Sequence, residues 1–98
     1  MPKLYEYLGI LLVLRSDDHE PIHFHAFHNG NEVAVLLYVK NGIVHTVRYQ
    51  ERKGKFSPAK MRDLKEFVSK HKNVLLLAYT QSNLGVRFKT VKITKRIK

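Results

Sequence analysis

The sequence predicts an α+β domain: an antiparallel β-meander of three to four strands, followed by one long α-helix, straight or kinked, and a short C-terminal strand. Two observations carry most of this. Asn29-Gly30 and Asn41-Gly42 each fall between strand-like apolar runs, and Asn-Gly suits a two-residue hairpin turn because both residues tolerate positive φ. After Ser57-Pro58, apolar residues recur at spacings of three and four as far as Ala78, which is the period of one helix face. A chain of 98 residues, 44% of them hydrophobic, fits a single domain over 1–98 with a core of its own.

Each element follows from its local pattern. Tyr7 to Arg15 is a short apolar run closed by Ser16-Asp17-Asp18, too brief for a helix, and reads as one buried strand. Ser16 to Pro21 is a polar turn. In Ile22 to His28 an extended chain puts His23 and His25 on one face and Phe24 and Ala26 on the other, towards the core. Glu32 to Lys40 is the next strand, and Ile43 to Tyr49 alternates apolar and polar residues as a half-exposed one. Gln50 to Phe56 reads as a polar, basic connection. Ser57 then serves as N-cap with Pro58 at the first helical position. Met61, Leu64, Phe67, Val68, His71, Leu75 and Ala78 form the helix's apolar face, opposite Lys60, Arg62, Lys70 and Lys72. The helix runs to about Gln81 with Gly85 as its stop; the alternative is a break at Asn73 with Val74–Leu77 as a separate strand. Val86 to Ile93 alternates again, with a change of phase near Thr90 that suggests a bulge, and Thr94 to Lys98 is a frayed basic end.

Composition narrows the function classes. With no cysteine there is no disulfide, no Cys-based zinc knot and no thiol nucleophile, which fits a cytoplasmic protein. Leu8 to Leu14 is too short for a bilayer and lacks the flanks of a signal peptide. The 18 Lys and Arg against eight Asp and Glu give a formal charge of +10, beyond what solubility alone asks of a small domain. Such a surplus favours a polyanionic partner, either nucleic acid or an acidic protein. The candidate anion-binding residues are Arg52, Lys53 and Lys55 in the connection and Arg87, Lys89, Lys92, Lys95 and Arg96 in the tail. No helix-turn-helix or zinc-finger pattern supports base-specific reading. An open sheet edge would also allow an edge-paired homodimer.

Chemistry-bearing residues concentrate in one stretch. His23, His25 and His28 fall within six residues, with Asp17, Asp18, His19 and Glu20 just upstream. Imidazole titrates near neutral pH and is the commonest side-chain metal ligand, so His23, His25 and His28 are candidate ligands for a divalent metal such as zinc or manganese. Asp18 beside His23 or His25 would form an orienting pair for acid–base catalysis. The alternative assigns these histidines to satisfying the sheet and its turn. Glu32 stands too far along the chain for the cupin spacing. Neither a Gly-x-Ser-x-Gly nucleophile turn nor a Gly-rich phosphate loop occurs. His45 belongs to the exposed phase of its strand, and His71 to the packed face of the helix.

Asp18-His19-Glu20-Pro21-Ile22-His23-Phe24-His25-Ala26 resembles the Asp-His-x-Pro-Pro-His-Phe-His-Ala signature of a family of small bacterial domains of unknown function. The resemblance runs from about Tyr7 to Gln81 and includes Gly9 and Gly30. Ile22 replaces the signature's second proline, and the basic tail is longer than the family pattern. The resemblance implies a gene pair of toxin–antitoxin-like organisation and marks Asp18, His19, His23 and His25 as candidate catalytic residues; His28 lies outside the signature. Two functions follow as expectations. One is a binding module of such a pair, contacting nucleic acid or an acidic partner protein. The other is a metal- or His/Asp-dependent hydrolase, acting on RNA, in which the histidine cluster does the chemistry.

Overall fold

The computed structural model describes residues 3–14, 22–83 and 91–93. The strands are β1 (Lys3–Tyr7), β2 (Ile10–Leu14), β3 (Ile22–His28), β4 (Asn31–Lys40) and β5 (Ile43–Lys53); the helix α1 (Pro58–Asn83) and the strand β6 (Val91–Ile93) follow. They form one six-stranded sheet in the order β5-β4-β3-β2-β1-β6. Every pairing is antiparallel except β1 with β6, which is parallel. The fold is α+β, as the sequence predicts, with five strands ahead of the helix among the described residues.

The additional strand comes from the N-terminal apolar run, which folds as a hairpin and not as the one strand expected. Leu8 and Gly9 sit at φ 49° and 83°, the geometry of a two-residue turn with positive φ at both positions. A leucine there costs conformational energy, and long-range contacts offset it. The Leu8 amide donates to the Ile93 carbonyl at 3.2 Å. Lys60 Nζ donates to the Leu8 carbonyl at 2.5 Å, and His28 Nδ1 donates to the Gly9 carbonyl at 2.9 Å.

The two Asn-Gly turns form as expected, with Asn29 and Asn41 at φ 49° and 55° and the following glycines both at 77°. β5 is longer than its pattern suggests. Gln50 to Lys53 continue the strand, because Ala34, Val33 and Glu32 of β4 pair with Gln50, Glu51 and Lys53 across a bulge. Main-chain pairing overrides a polar composition that reads as a connection.

α1 is one unbroken helix of 26 residues, so Val74–Leu77 is helical. Its cap is the predicted one: Ser57 Oγ accepts from the Lys60 amide at 3.2 Å. Leu64, Phe67, Val68, Leu75 and Ala78 are buried against Tyr7, Leu12, Leu14, Phe24, Ala26, Val33, Val35 and Leu37 of the sheet. Phe67 holds the centre, with ring centroids 5.0 Å from Tyr5, 5.1 Å from Tyr7 and 4.3 Å from a stacked His71. Among the described residues no helix is long and apolar enough to cross a membrane. The expected polar turn at 16–21, the helix stop at Gly85, the bulge near Thr90 and the basic end at 94–98 lie outside the described residues.

Candidate functional site

On β3 the two-residue side-chain period sends Phe24 and Ala26 to the helix side and His23, His25 and Phe27 to the other face. In register, His25 lies between Val13 of β2 and Ala34 of β4, and His23 opposite Leu36. Both rings are buried, His25 at 3% and His23 at 8% exposure. Their centroids are 5.2 Å apart, edge to face. His25 Nδ1 lies 2.6 Å from Glu32 Oε2; a carboxylate can only accept, so the imidazole donates and its ring is held in one orientation.

Glu32 is the partner that sequence spacing sets aside. Counting outward from the Asn29-Gly30 turn would have found it: Phe27 faces Glu32 in the hairpin, which puts Glu32 on the same face as His25 and diagonal to it. The bond ties β3 to β4 at a buried position. Glu32→Ala removes the acceptor at Nδ1 and is expected to cost about 1–3 kcal/mol of stability, read as a lower urea midpoint with an unchanged m-value.

His28 does not join the other two. The strand's alternation carries it to the helix side, where its ring lies 6.0 Å from Phe56 and bonds the β1–β2 turn. Among the described residues no three His, Cys, Asp or Glu side chains gather into a metal-binding set. Asp18 and His19 lie outside the described residues, as do Arg87, Lys89, Lys95 and Arg96.

The structure divides the remaining candidate cations. Lys92 lies on β6, at the opposite edge of the sheet from β5, where it pairs with Glu6 at 3.3 Å. Five strand spacings of about 4.8 Å separate the two edges, so Lys92 shares no patch with Arg52 and Lys53. Arg52 and Lys53 are exposed at the end of β5, and Lys55 is exposed in the short irregular connection that remains between β5 and α1. Phe56, buried in the core, anchors this connection to the start of α1.

Residues that sequence reading did not single out complete the surface. A cleft of about 220 Å³ opens where β5 meets α1, lined by Val33, Tyr49, Glu51, Lys55, Phe56, Met61 and Lys65. Its floor is apolar, from Val33 and Phe56, and Lys55 and Lys65 stand at its rim. Lys65 Nζ lies 5.5 Å from the Tyr49 ring centroid, and Arg48 lies 6.0 Å over the Tyr38 ring, both within cation–π reach. Burial pushes the Tyr49 phenol up to about 12, so at neutral pH it lines the cleft as an uncharged hydroxyl. Lys60 is engaged elsewhere, with the Leu8 carbonyl and, at 3.7 Å, the buried Asp63. The visible signal was the flank of the helix stripe for Lys65, whose approach to Tyr49 is a tertiary fact; Arg48, on the alternate phase of β5, belongs to the opposite face of the sheet.

This geometry gives two distinct assemblies. The histidine–glutamate group is inside the sheet and contacts the protein's own strands. Lys55, just after β5, and Lys65 of α1 face outward on an apolar cleft, with Arg52 and Lys53 at the adjoining end of β5. The profile of DUF4160, a domain of unknown function, matches residues 9–80, from the β1–β2 turn to near the end of α1. No curated protein and no solved structure matches the chain.

Proposed function

The chain belongs to the DUF4160 family, whose function is unknown, and from its own surface we propose that it is a binding module that takes an acidic partner protein on the face formed by β5, its following connection and the start of α1. In this reading it is one component of a toxin–antitoxin-like pair, as the resemblance implies, and the acidic protein is its companion. The observation that carries the reading is the exposure of Lys55 and Lys65 on the cleft, with Arg52 and Lys53 at the adjoining end of β5 and Arg62 on the first turns of α1, where Glu51 is the acid among the cleft's described lining. Like charges gathered on adjoining segments repel one another, and an anionic partner relieves that cost.

Two features favour protein over nucleic acid. The Tyr49 ring at the cleft already carries Lys65 over it, which leaves less open ring for base stacking. The apolar floor of the cleft suits a side chain, whereas phosphate contacts need no such floor. The hydrolase reading has weaker support, because His23 and His25 are buried and His25 bonds Glu32.

A competition measurement tests the proposal. Fluorescently labelled poly-L-glutamate should bind the protein, and an unlabelled single-stranded oligonucleotide of equal charge should displace it poorly. Displacement by the oligonucleotide at lower concentration than by unlabelled polyglutamate would identify nucleic acid as the partner instead.

A further inference from the structure

β5 closes the sheet on one side. Among the described strands it has a neighbour only in β4, so along its outer side every second residue directs an amide N–H and a carbonyl away from the sheet. Bulges lie between Glu32 and Val33 and between Tyr38 and Val39 of β4. Between them, Thr46 to Glu51 pair with Tyr38 to Val33 without interruption. This is a regular platform about 20 Å long, and its outer side is the place where one more strand fits.

The side chains of the platform differ between its faces. Val47 and Tyr49 point to the helix side, packed against the core, and Tyr49 leads into the cleft rimmed by Lys55 and Lys65. Arg48 belongs to the other face, opposite Leu36, and Arg52 and Lys53 follow at one end. A strand laid along this edge would meet apolar Val47 and Tyr49 on one face, and on the other Arg48 between Thr46 and Gln50, with Arg52 and Lys53 beyond one end. A second copy of the chain fits poorly: each β5 brings Arg48, Arg52 and Lys53 against Glu51 alone, and pairing about the strand's centre sets Arg48 opposite its own counterpart.

Resting on the reading of this face as an acidic-partner site, we infer that the outer edge of β5 receives an extended segment of that partner, alternating acidic and apolar residues, as an added strand. Main-chain hydrogen bonds to Thr46–Glu51 supply the affinity common to strand addition. One apolar side chain of the segment enters the cleft beside Tyr49, and its acidic side chains meet Arg48 and the cations at the end of the strand.

The test uses the peptide acetyl-Glu-Val-Glu-Val-Glu-Val-Glu-amide and two analogues, one N-methylated on every valine and one on every glutamate. All three carry the same charge. In an added strand only alternate amides face β5, so one analogue should bind like the parent and the other should lose about tenfold or more, because its methyl groups replace the pairing N–H donors. The parent should also slow hydrogen exchange of the outward amides within Thr46–Glu51. If both analogues bind as well as the parent, strand addition is wrong while the acidic-partner reading stands. If none of the peptides binds and poly-L-glutamate does not bind either, that reading fails too. If the outward amides are protected in the free protein in a concentration-dependent way, a second copy holds the edge and the inference is overturned.

Discussion

Changing Arg52, Lys53 and Lys55 together to Glu is expected to weaken poly-L-glutamate binding by about a hundredfold or more. Each substitution removes an attraction worth roughly 0.5–1 kcal/mol at an exposed position and installs a repulsion of similar size, so three sites together reach about 3 kcal/mol, and every 1.4 kcal/mol is tenfold in affinity. All three side chains are exposed, so the circular dichroism spectrum and urea midpoint should stay close to those of the unaltered protein. Lys70→Glu with Lys92→Glu provides the control. Lys70 is exposed on α1 and Lys92 lies on the far sheet edge, so the pair lowers net charge away from the proposed face. A loss as large in the control would show that binding follows total charge and not this face.

The second large effect concerns the fold. Phe67→Ala is expected to cost about 3–5 kcal/mol, a large share of the roughly 5–15 kcal/mol by which such domains are stable. Phe67 is 2% exposed and makes ring contacts with Tyr5 and Tyr7 of β1 and with His71 one turn along the helix. Removing it opens a cavity between helix and sheet where three aromatic neighbours have no small rearrangement that fills it. Urea unfolding measures the loss directly. A cost below about 1 kcal/mol would mean that the helix is not held to the sheet through this residue.

Much of the fold was legible because local chemistry and tertiary structure agree. Asn29-Gly30 and Asn41-Gly42 are turns for the reason the dipeptide suggests, and Ser57 caps α1 through the hydroxyl expected of it. The features that escaped are those imposed from a distance. Leu8-Gly9 turns because Lys60, His28 and Ile93 hold it, and nothing in the run Tyr7 to Arg15 announces partners so far along the chain. Gln50 to Lys53 form a strand because β4 is there to pair with them.

The site was legible in the same uneven way. That His23 and His25 share a face follows from strand geometry alone. Their burial does not, since strand alternation says nothing of what packs over that face. The same alternation that unites those two histidines removes His28 to the opposite face, so three nearby histidines in sequence are not one group in space. Basic residues counted along the chain also hid a division: Lys92 and the cations of β5 are at opposite edges of one sheet.

The most direct measurement is the affinity for poly-L-glutamate as salt rises from about 50 to 200 mM, a range over which contacts made by neutralising several charges weaken by orders of magnitude. The account predicts a steep linear fall of log affinity with log salt for the unaltered protein, and a much shallower one for the Arg52, Lys53 and Lys55 triple variant. A flat response in the unaltered protein, or an equal slope in both, would contradict the assignment of this face as the seat of binding.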